Sequence, residues 1–156
     1  FLTEHGISSY GELESKLTVV SARRDTSHAE IKRIESRSAE LTLVMKHATT
    51  YRQLKPIYDR YRKSGDKEKF LRGHESEIIL FEAAARELKR LGAVPLPTTE
   101  SMKTELANLN AEKERLLAEY KAARTEAQEY DTVKQNVDAL LTVPKEQVQK
   151  QVNELE

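Results

Sequence analysis

The chain has 156 residues and a mass of 17.9 kDa, the size of one domain, and its 26 basic residues balance 26 acidic ones. A formal charge of zero removes global charge as an argument for binding nucleic acid or membrane, and the absence of cysteine removes disulfide frameworks, thiolate metal sites and cysteine nucleophiles. Ala, Leu, Glu, Lys and Arg fill about half of the positions, the composition of long helices and coiled coil; with 33% charged and 38% hydrophobic residues, only a narrow seam is available for a core.

Purely apolar runs are short, far below the roughly 20 residues needed to cross a bilayer, and no signal peptide is visible. No membrane contact is expected, and a cytoplasmic protein fits the lack of cysteine. The chain starts at Phe1, and residues 1–8 read as the end of a preceding segment, so the sequence is taken as a piece of a longer protein.

Two stretches free of Gly and Pro, Glu12 to Lys55 and Thr98 to Val143, are each long enough for a helix of about 65 Å. The first helix opens at Ser9, whose hydroxyl can cap Glu12 while the Glu12 carboxylate reaches back, with Ile7 and Leu13 packing across the start. A heptad seam follows through Leu13, Leu17, Val20, Arg24, Ser27, Ile31, Ile34, Ser38, Leu41, Met45 and Ala48, weak in its polar middle. Beyond Val44 the stripe slides to His47, Tyr51, Leu54, Tyr58 and Tyr61. Pro56 removes a backbone donor, so this helix over about 9–63 either bends there or breaks within 49–56; the bent single helix is the favoured reading.

Ser64, Gly65 and Asp66 form the turn into a second helix over 67–91, whose inner face takes Phe70, Leu71, Glu77 or Ile78, Phe81, Ala84 or Ala85 and Leu88, and which stops at Gly92. After a stiff Pro-containing link, Thr98 or Thr99 caps a third helix over 99–142, with the most regular seam in the chain: Met102, Leu106, Leu109, Lys113, Leu116, Tyr120, Ala123, Ala127, Tyr130, Lys134, Val137 and Leu141. Pro144 ends or resets it, leaving residues 144–156 as a polar tail, read as frayed helix. Short links demand antiparallel neighbours, so the expected fold is all-α: an elongated antiparallel coiled-coil or three-helix up-down-up bundle over 9–143 with long first and third helices.

The chemistry-bearing residue types are dispersed. His5, His28, His47 and His74 make no local metal pair; His74-Glu75 resembles the start of a zinc-protease helix motif, but Ile78 stands where its second His belongs. No Glu lies three residues before a His, as a di-iron bundle needs, and the glycines form no phosphate-cradling loop. No catalytic residue, metal or cofactor is therefore expected. The uneven stretch is Tyr51 to Arg72. There Arg52, Lys55, Arg60, Arg62, Lys63, Lys67, Lys69 and Arg72 face only Asp59, Asp66 and Glu68, and Tyr51, Tyr58, Tyr61 and Phe70 interleave with them. Positives with aromatics can neutralise phosphates and stack on unpaired bases, but tyrosines at three-and-four spacing also serve as core residues and a charge run as a solvated face. Of these, Arg52, Lys55, Arg60, Arg62, Lys63 and Lys67 are the candidate phosphate-facing cations.

The blocks HGISSYGELE, KHATTYRQLKPIYDRYRKSGDKEKFLRGHESEIILFEAA and LPTTESMKTELANLNAEKERLLAEYKAARTEAQEYDTVKQNVDALL cover most of the chain. In their order they resemble the C-terminal helical regions of relaxases, the mobilisation nucleases of conjugative and mobilisable elements of Gram-positive bacteria. The resemblance implies a parent that nicks one DNA strand through a catalytic Tyr and a histidine-bound metal in an N-terminal domain. No His-x-His pair is present here and no tyrosine matches the nucleophile, so the segment itself is expected to be non-catalytic. Its implied partners are DNA near a transfer origin, accessory proteins or the transfer machinery. The rival expectation, from composition alone, is a structural coiled-coil scaffold that forms a homodimer through the seam near Arg24 to Ser38 or through the third helix.

Overall fold

The computed structural model describes the backbone of residues 1–155 and the side chains of residues 1–141. Over the described residues the chain is all-α, with no strand: α1 runs Tyr10–Lys63, α2 Lys67–Arg90 and α3 Thr99–Leu155.

The ends of these helices follow from the residues placed there. Ser9 Oγ accepts the Glu12 amide at 3.2 Å, so Ser9 is the cap of α1. The Glu12 carboxylate reaches one residue further back than a capping box requires, taking the Ser8 amide at 2.7 Å and the Ser8 hydroxyl at 2.9 Å. Those bonds hold its pKa below the usual carboxylate value. α2 starts on Asp66, whose carboxylate accepts the Lys69 amide at 3.1 Å. It ends in a Schellman motif: Ala93 N donates to Leu88 O at 2.9 Å and Gly92 N to Lys89 O at 3.1 Å, with Gly92 in the left-handed region at φ 71°. Of the two candidate caps for α3 it is Thr98 that serves, its Oγ1 accepting the Ser101 amide at 3.1 Å.

α1 is a single helix through Pro56, and no break occurs at 49–56. The hydroxyls of Thr49 and Thr50 donate back to the carbonyls of Met45 and Lys46, so the two residues that could have opened the chain are satisfied inside the helix. Two differences from the sequence reading stand out. α2 carries a non-helical residue, His74 (φ −136°, ψ 24°), directly after Gly73, where missing side-chain restraint lets the helix deform. α3 also continues past Pro144 to Leu155 instead of stopping near 142, so the helical reading of the tail applies to its backbone, where good helix formers follow the proline. The side chains of the expected polar tail lie outside the described residues.

The chain divides into two compact units, Phe1–Ile31 with Lys113–Glu156 and Lys32–Glu112. In the first, Tyr10 meets Asp138, Glu14 meets Lys134, Arg23 meets Glu126 and His28 meets Tyr120, so the two helical stretches run in opposite directions. Its core is Ile7, Leu13, Val20, Ala123, Ala127 and Tyr130, with Leu17 and Val133 against it. The turn before α1 packs here too, Phe1 and His5 both lying on the Tyr130 ring. The second unit holds three helical stretches, and its core is Leu41, Val44, Ala48, Leu88, Ala93 and Met102. Arg37 bridges to Glu105 at 2.7 Å, while Tyr51 and Tyr58 meet Phe81 and Tyr61 meets Phe70, again with opposed directions. Every seam position expected on the third helix from Met102 to Val137 is buried or half-buried; only Leu141 is exposed.

Candidate nucleic-acid interface

The α1–α2 turn lies within the second unit. Arg60, Arg62 and Lys63 occupy the last turn of α1, Lys67 is the first residue of α2, and only Ser64, Gly65 and Asp66 separate them. Ser64 shapes the link twice over, its amide donating to Tyr61 O at 3.2 Å and its hydroxyl to Asp66 O at 3.1 Å. A C-terminal and an N-terminal helix end meet here with opposite dipole signs, so side-chain charge sets the local field.

The six candidate cations fall into two groups. Arg52 and Lys55 have work inside the fold. The Arg52 guanidinium donates to Pro97 O at 2.6 Å and to Thr99 Oγ1 at 2.7 Å, tying α1 to the start of α3. Lys55 bridges to Asp59 at 2.8 Å, which raises the lysine's pKa and lowers the aspartate's, with the nearby charges of Lys63 and Arg62 also favouring the ionised carboxylate. Arg60, Arg62, Lys63 and Lys67 are exposed and make no hydrogen bond or ion pair with the described residues. Lys69, counted in the charge excess but outside the candidate set, is in the same condition: its backbone amide is capped while its side chain is exposed and unpaired. Its position in the first turn of α2, two residues after Lys67, is the signal that could have placed it in the set.

The aromatic residues of this stretch are packed on one another. Phe81 is stacked by Tyr51 at 4.7 Å on one contact and by Tyr58 at 4.3 Å on another, with interplanar angles of 26° and 24°. Tyr58 continues to Tyr61 at 6.0 Å, Tyr61 to Phe70 at 6.1 Å, and Phe70 to His74 at 4.5 Å. His74 Nδ1 lies 3.3 Å from the Glu77 carboxylate, which fixes the ring at the point where α2 deforms. Of the two roles open to these rings, base stacking and packing, the contacts favour packing: the rings neighbour one another, and Tyr51, Tyr58, Tyr61 and Phe70 are half-buried. Phe81 lies 30 and 23 positions from its two tyrosines, too far for local periodicity to reveal the stack.

Other chemistry is sparse. Among the described residues no three His, Cys, Asp or Glu side chains come together as metal ligands would, and no helix is long and apolar enough to cross a membrane. A cleft of about 270 Å³ beside the turn is lined by Ser64, Asp66, Lys69, Phe70, Gly73 and His74, a mixed-charge wall with no converging set. Of the two surfaces named for dimerisation, the seam near Arg24 to Ser38 has Ser27, Ile31 and Ile34 buried within the chain. Compared with protein-family models, with curated proteins and with solved structures, the chain matches none.

Proposed function

We propose that this chain is a non-catalytic helical extension of a DNA-nicking relaxase and that its α1–α2 turn contacts nucleic acid, positioning the nuclease for conjugative mobilisation. The observation that carries the contact is the cluster of Arg60, Arg62, Lys63 and Lys67, exposed and without a partner among the described residues, on a chain whose other charges balance to an acidic excess. Cations held in solvent at a short, capped turn cost little to keep unpaired and are available to displace the counterions of a phosphate backbone. The relaxase part of the reading is supported by the order of the sequence blocks quoted above and by the all-α fold, both suited to an arm outside a catalytic domain.

A mobility-shift titration of the chain on DNA at low salt tests the contact. A shift that disappears as salt rises is expected; no shift at any salt would remove nucleic acid as the partner. The coding sequence upstream tests the parentage, which requires a nuclease core with a histidine pair and a nucleophilic tyrosine.

The second reading, a scaffold that pairs with a copy of itself, has one observation in its favour. Ile79 and Leu80 on α2 are 55% and 54% exposed. Light scattering separates the two: the proposed function expects a monomer without DNA, the scaffold a dimer.

A further inference from the structure

We infer that the α1–α2 turn reads only phosphate, binding duplex nucleic acid through its backbone with no stacking on bases and no preference for single strands. The inference rests on the nucleic-acid contact proposed above and specifies its chemistry.

A surface selective for single strands needs aromatic faces free to receive unstacked bases beside a positive track. Here the track is present, while the rings are half-buried and engaged with one another. Both Tyr51 and Tyr58 lie on Phe81, and the chain of contacts continues through Tyr61 and Phe70 to His74. Freeing a ring for a base would break the packing of α1 on α2. Direct reading of base edges requires side chains presented at an ordered groove-filling element, with Arg, Asn or Gln in bidentate geometry. The turn instead offers flexible cations on two helix ends. Duplex DNA carries one charge per about 1.7 Å of axis, so a compact cluster meets more phosphate on a duplex than on an extended single strand.

The number of contacts is bounded. Arg52 and Lys55 are spent on Pro97, Thr99 and Asp59, and Arg72 Nε donates to Glu68 O at 3.4 Å, which leaves Arg60, Arg62, Lys63, Lys67 and Lys69. Four to five released counterions correspond to a plot of log K against log salt with a slope of about −4. Each cation removed should flatten that slope by about 0.9.

The test is fluorescence anisotropy of the whole chain on a labelled duplex of mixed sequence between about 50 and 200 mM salt, with unlabelled single strands and duplexes of equal length as competitors. The expected result is a slope near about −4, duplex competing at least as well as single strand, and no dependence on base sequence. In Arg60→Ala/Lys63→Ala, checked for unchanged helicity by circular dichroism, the slope should fall by about 2; in Lys103→Ala, an exposed cation away from the turn, it should not move. Intrinsic tyrosine fluorescence should stay constant on adding single strands, because no base reaches a ring. Tighter competition by single strands, or quenching of the tyrosines, would overturn phosphate-only reading while leaving the nucleic-acid contact intact. Absence of binding at the lowest salt would overturn both.

Discussion

Tyr10 shows how a single half-buried residue can be tied into the fold by one well-placed partner. Its hydroxyl donates to the Asp138 carboxylate at 2.6 Å, and that hydrogen bond, ahead of the nearby charges of Asp138 and Glu14, raises the phenol pKa to about 12 from an ordinary 10.0. The neutral phenol is the form the fold favours, so its contribution to stability is complete below pH 10.0 and is lost as pH rises through about 12. In a spectrophotometric titration Tyr10 should ionise late, as should Tyr130, whose phenol burial also pushes up; Tyr10→Phe should remove one late step and Asp138→Asn should move that step back towards the ordinary value. A late amplitude undiminished in Tyr10→Phe would show that the bond does not hold the phenol. At the opposite end of the scale, Arg37 paired with Glu105 holds that carboxylate's pKa down, so this pair's contribution exists above the ordinary 4.5 and fades as pH falls through the lowered value. Residues of this kind also mark what local sequence can reveal. Ser9, Asp66, Thr98 and Gly92 are legible because a cap or a left-handed stop is decided within three or four positions. Arg52 is not, because the groups that claim its guanidinium lie 45 and 47 positions away and only the packed helices bring them to it.

At the scale of an element, α1 and α2 pose two tests of why they persist. Pro56 sits exposed inside α1 and costs its helix a backbone bond and a steric clash, roughly 3 kcal/mol relative to Ala. Part of that returns through the stiffer unfolded chain, about 0.4–1 kcal/mol. Pro56→Ala is therefore expected to stabilise the chain by about 2 kcal/mol in chemical denaturation, and a loss of stability would mean that the proline sets a geometry the packing needs. Phe81 is buried, and both Tyr51 and Tyr58 stack on it. Phe81→Ala should cost about 3–5 kcal/mol, with α2 losing its hold on α1; a cost under about 1 kcal/mol would show that the stack contributes little. The helices and their seams could be read from three-and-four spacing because burial follows that period along both long helices. The deformation at His74 could not, since Gly73 permits it without requiring it and the packing of Phe70 and Glu77 on the histidine decides it.

For the whole molecule, neutrality hides an uneven distribution. The stretch from Tyr51 to Arg72 has eight cations to three anions in a chain whose totals are equal. Screening limits the reach of exposed charges to about 8 Å at physiological salt, so a ligand at the turn responds to the turn and hardly to the overall balance. The cluster itself was visible in the sequence; which of its members are free was not, because pairing is decided by the folded neighbours of each side chain. The same holds for the aromatics, whose spacing suits base stacking and core packing equally until Phe81 is placed on them.

On the proposed function, the free cations at the α1–α2 turn are where the chain meets nucleic acid. Titrating a short DNA duplex into the isotopically labelled chain at low salt, and following backbone amide shifts by NMR, tests this contact residue by residue. The largest changes are expected at residues 60–69 and should vanish as salt is raised. Changes centred on α3 or on the exposed Ile79–Leu80 face, or no changes at all, would contradict it.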